Sequence, residues 1–98
     1  MKTISAEEVK SLLEKGEQLH LIDVREAKEV AEGKIPTACH IPLGLLEFRL
    51  QDLDKTKEYI IVCRSGGRSA QAALFLEHRG FKVINMDGGM LAWEGDVE

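Results

Sequence analysis

Apolar positions along the 98-residue chain follow two spacings, and the alternation between them lays out the elements. Ala6, Val9, Leu12 and Leu13 fall on one side of a helix; Ser5 and Glu8 are spaced as a capping box, and Gly16 is a suitable stop. Residues 19–24, LHLIDV, form an apolar run of strand length, and REAKEVAEG after it is helix-like up to Gly33. Residues 38–41 predict a short strand hemmed in by Pro36 and Pro42. LGLLEFRLQDL, residues 43–53, reads as a helix despite Gly44, with its leucines and Phe48 on one side. YIIVC, residues 59–63, is the clearest buried strand, and SAQAALFLEHRG, residues 69–80, is the clearest helix, stopped by Gly80. KVINM predicts one more strand, and GGMLAWEG a closing turn and short helix.

Strands alternating with helices imply an α/β fold: a central parallel sheet flanked by helices on both faces. The length allows one core, so residues 1–98 are expected to form a single domain. In such sheets ligands gather beyond the carboxyl ends of the strands, and Cys63 stands at one of these ends. Composition narrows the choice of partner. With 44% hydrophobic and 31% charged residues the chain has the make-up of an ordinary globular protein, and a net charge of −4 with no basic run argues against nucleic acid. No apolar stretch reaches membrane-spanning length, and the first residues lack a secretory h-region; if Met1 is the natural start, the expected location is the cytoplasm. Two cysteines, Cys39 and Cys63, are too few for a disulfide framework and lack metal-ligand spacing, so in a reducing compartment they are expected to be free thiols with no metal, and no organic cofactor is expected either. Without an evident apolar surface stripe, a monomer is the expected state.

Three features next to Cys63 favour its thiolate, the form that attacks. The loop RSGGRS offers consecutive backbone N–H groups that Gly66 and Gly67 allow to turn inward as an anion-binding nest. The helix that follows points its positive dipole end at the same place. Arg64 and Arg68 add charge that neither can lose at working pH. That combination suits a nucleophile with an anionic substrate. The plainer reading stands beside it, since cysteine is a common small core residue and glycine-rich strand-to-helix turns occur without chemistry.

VCRSGGRSAQAALFL, residues 62–76, closely resembles the active-site strand, loop and helix of the rhodanese family of sulfurtransferases. LIDVRE, GKIPTACHIPL and MDGGMLAW follow that family's other pieces in order, so the resemblance spans nearly the whole chain. It implies a sheet of about five strands. It also implies that Cys63 accepts sulfane sulfur as a persulfide, that the amides of Arg64, Ser65, Gly66, Gly67, Arg68 and Ser69 cradle it, and that Arg64 and Arg68 orient a small anionic donor such as thiosulfate. Asp23 and Arg25 would buttress the loop from the next strand end, with a surface ion pair and a helix cap as their alternative reading. The acceptor would be cyanide in vitro, or a small or protein thiol. Lys34, Thr37 and His40 depart from the family's usual histidine, glycine and asparagine, which bears on turn geometry more than on sulfur chemistry. His40 is expected to be structural, and Trp93 to serve packing.

Other functions remain in view. Cysteine phosphatases of a related fold place five residues between cysteine and arginine, whereas Cys63 and Arg68 enclose four. Rhodanese-like modules that lack the cysteine serve in binding, but this chain keeps it. Cys39 as a resolving thiol would make a redox or arsenate-reducing enzyme; its place in a buried-looking segment favours an inert, packed thiol instead.

Overall fold

The structure, a computed structural model, describes residues 1–98. Five parallel strands form one sheet in the order β1 (Thr3–Ser5), β5 (Lys82–Asp87), β4 (Glu58–Val62), β2 (His20–Asp23), β3 (Cys39–His40). Three α-helices, α1 (Ala6–Glu14), α2 (Ala27–Val30) and α3 (Gly67–His78), connect them with shorter 3-10 turns.

β4 lies at the centre, which is why Tyr59–Val62 are apolar without interruption: a strand covered on both faces has no solvent side to mark with polar residues. Alternate side chains divide between two cores. Ile61 and Cys63, with Ile22, Val24 and Val83 of neighbouring strands, meet Ala72, Ala73 and Leu76 of α3. Ile60 and Val62, with Leu21, Ile84 and Met86, meet Ala6 and Val9 of α1 and Ile35 beyond α2. The alanines of α3 let its backbone lie close to the sheet, which brings its first turn against the end of β4.

Several expectations change. Strand β1 left no apolar signature; it is three residues long at the sheet edge, and its last residue also caps α1, Ser5 Oγ accepting from the Glu8 N–H at 3.0 Å. α2 is only four residues long. Residues 43–53 are not an α-helix but two 3-10 segments, Leu43–Phe48 and Leu50–Asp52. Pro42 precedes them, and a 3-10 path stacks residues three apart, so Leu43 with Leu46, and Leu50 with Leu53, face the core. Phe48, expected on that side, is 65% exposed. α3 starts at Gly67, two residues earlier than Ser69. Cys39 is exposed on edge strand β3 rather than packed. β2 lies between β3 and β4, which puts Cys39 and Cys63 at least about 10 Å apart, too far for a disulfide without moving backbone.

Candidate active site

β4 hands over to α3 through residues 63–66 at the carboxyl edge of the sheet, and the turn is held from several sides. Gly66, with φ +106°, is the cap residue of α3, and its carbonyl accepts from the Ala70 N–H at 3.1 Å and from Asn85 Nδ2 of β5 at 3.3 Å. From the segment after β5, the Met90 and Leu91 N–H groups donate to the Cys63 and Arg64 carbonyls, each at 2.9 Å. Gly89 makes that approach possible: a Cβ there would lie 2.5 Å from both carbonyl oxygens.

The result is a sulfur with donors aimed at it. The Gly66 N–H donates to Cys63 Sγ at 3.0 Å, and the buried Ser69 hydroxyl stands 3.3 Å from Sγ. A neutral thiol donates to that hydroxyl; once ionised, the sulfur accepts from it. Burial, with Cys63 1% exposed, pushes the thiol up. The Ser69 hydroxyl and the amides of Ser69, Gly66 and Ser65 outweigh it and hold the thiol below its ordinary value. The twelve residues of α3 add the positive end of their dipole.

Asp23 and Arg25 form a buried pair at the end of β2, with Arg25 Nη2 to Asp23 Oδ2 at 2.8 Å and side chains 7% and 0% exposed. The Arg25 backbone N–H also donates to Asp23 Oδ1 at 3.1 Å. Arg25 is therefore no surface ion pair. Its guanidinium donates to the carbonyls of Gly33 at 2.8 Å and Glu29 at 3.3 Å, bracing α2 and the turn after it. Glu29 in turn grips the guanidinium of Arg68 with both carboxylate oxygens, at 2.6 and 2.7 Å. Arg68, with the backbone of Glu26, holds the Glu29 carboxyl down to about 2. The support from Asp23 and Arg25 thus reaches the loop through Glu29. Arg64 is exposed and has no carboxylate within ion-pair distance. The sequence reading missed Glu29 and Asn85. Glu29 carried no signal until topology set α2 beside α3, whereas Asn85 had one, as the only polar residue inside an apolar strand. Elsewhere in the chain, no three His, Cys, Asp or Glu side chains gather as a metal site would require.

The model of the Rhodanese-like domain family matches residues 5–96. This chain belongs to the rhodanese-like family. YtwF of Bacillus subtilis, which carries a sulfurtransferase name, is 49% identical over 98 residues, spanning 100% of this chain and 95% of its own. A protein of Allochromatium vinosum named sulfurtransferase is 37% identical over 92% of this chain and 85% of its own. Among solved structures, a rhodanese-like domain protein of Staphylococcus aureus superposes with a TM-score of 0.95 at 37% identity, covering 100% of this chain and 97% of that one.

Within the rhodanese-like fold two of the three departures, Lys34 and His40, have local partners. Lys34 Nζ donates to the Ala38 carbonyl at 3.1 Å and pairs with Glu98 at 2.6 Å, tying the turn together. Thr37 carries the left-handed backbone of a glycine, φ +72°, an unusual place for a β-branched residue. The ring nitrogen Nε2 of His40 lies 2.7 Å from the Arg25 carbonyl, a structural partner that fixes the end of β3 to the turn after β2. Trp93 packs on the α1 side of the sheet, and its Nε1–H donates to the Asp96 carbonyl at 3.0 Å.

Proposed function

We propose that this chain transfers sulfane sulfur through a persulfide on Cys63. The observation that carries the reading is the seating of Sγ, 3.0 Å from the Gly66 N–H and 3.3 Å from the Ser69 hydroxyl at the start of α3, which favours negative charge on sulfur. Relatives named sulfurtransferases support sulfur transfer in general; thiosulfate or a persulfide as donor, and cyanide or a thiol as acceptor, are the finer part of the proposal. The Cys63 thiolate attacks the outer sulfur of the donor, the S–S bond of the donor breaks, and sulfite or a thiolate leaves with the bonding pair. The terminal sulfur of the new persulfide carries the negative charge, with the loop amides and Arg64 available to stabilise it. An acceptor nucleophile then attacks that sulfur and the Cys63 thiolate departs, so the cycle closes without a metal or an organic cofactor and is ping-pong. Only a single atom has to be delivered to Sγ, which suits a residue 1% exposed.

Intact-mass measurement tests this. Thiosulfate should add one sulfur atom, cyanide should remove it, and Cys63→Ser should take up none while Cys39→Ser behaves as the parent. Failure to load, or loading that survives in Cys63→Ser, overturns the reading. No helix is long and apolar enough to cross a membrane.

A further inference from the structure

Sequence alone counts two arginines over the loop, but side-chain geometry leaves one. Arg68 gives both terminal guanidinium nitrogens to Glu29, in a pair whose side chains are 34% and 27% exposed. Arg25 is likewise matched by Asp23. Arg64 remains, exposed on the loop and without a carboxylate partner. An anion arriving at Cys63 therefore finds one loop arginine, Arg64, free and the other, Arg68, already neutralised by Glu29.

We propose that Glu29 sets the charge of the donor: by occupying Arg68 it favours singly charged sulfane-sulfur donors over dianionic thiosulfate. This rests on sulfur transfer through Cys63. A field that changes at the mouth acts on each donor in proportion to its charge, so its effect on a dianion is the square of its effect on a monoanion of the same shape. Thiosulfate and methanethiosulfonate provide that comparison. Each presents a terminal sulfur on a tetrahedral sulfur; attack by the Cys63 thiolate breaks the S–S bond and releases sulfite from the dianion or methanesulfinate from the monoanion.

The test measures kcat/KM for both donors, with cyanide as acceptor, in the wild type and in Glu29→Gln. The amide oxygen can still accept from the Glu26 N–H, as Glu29 Oε1 now does at 3.0 Å, while the amide nitrogen in place of Oε2 gives up the second bond from Arg68 along with the charge. Thiosulfate should gain about tenfold and methanethiosulfonate about threefold. Equal gains, or none, overturn the proposal, because a merely structural change would not sort donors by charge. Should Glu29→Gln not fold, Glu29→Ala removes the same charge and should give the same split between the two donors, about tenfold against about threefold. A wild type that loads sulfur from neither donor overturns sulfur transfer itself, a distinct outcome.

Discussion

Replacing Ser69 by alanine removes the one side-chain hydrogen bond to the Cys63 sulfur and leaves the loop amides in place. The hydroxyl serves both protonation states, accepting from the thiol and donating to the thiolate, so only the difference between a charged and a neutral hydrogen bond is lost. That difference is about 1.4 kcal/mol, which leaves about tenfold less thiolate at any pH below the midpoint. A more basic thiolate is also a better nucleophile, by about threefold for this change. The two effects oppose each other: Ser69→Ala should react about threefold more slowly on the acid side and about threefold faster on the alkaline plateau. The pH profiles of variant and parent should therefore cross. The assay is modification by the small reagent methyl methanethiosulfonate across pH, in a Cys39→Ser background so that only Cys63 reports, alongside the ultraviolet absorbance of the thiolate. Alanine suits the first turn of α3 at least as well as serine, so the fold should survive. Profiles that coincide, or a parent titrating no lower than free cysteine, would refute the claim that the Ser69 hydroxyl and the loop amides stabilise the anion.

Asp23→Asn should cost about 3 kcal/mol or more, because Arg25 is left charged and buried without its partner; urea unfolding checks this, and a loss below about 1 kcal/mol would contradict the buried-pair account. Thr37→Gly should stabilise by up to about 1 kcal/mol, since relief of the left-handed strain exceeds the entropy glycine adds to the unfolded chain. A lower melting temperature in that variant would show that the Thr37 side chain makes a contact worth more than its backbone strain.

Hydrophobic spacing carries a great deal here. Tyr59–Val62 and the alanine-rich run after Ser69 announce a central strand and the helix that follows, because a strand buried on both faces and a helix packed against it leave distinct periods in the chain. Cys63, the glycine pair and the capping serine at residue 5 are equally local, each set by neighbours a few residues away. The 3-10 path of residues 43–53 was less legible, since leucines three and four apart serve an α-helix as readily as a tighter one. Strand β1 was silent, because at three residues it is defined by pairing with β5 and not by its own composition. The same limit applies to the charge at the site. Sequence places two arginines on the loop, but only the fold brings Glu29 from 39 residues away to grip one of them, and lays Asn85 under the Gly66 carbonyl. Chemistry that depends on a residue's own backbone neighbours can be read along the chain; electrostatics depends on distance in space, and that was decided when β2 came to lie beside β4.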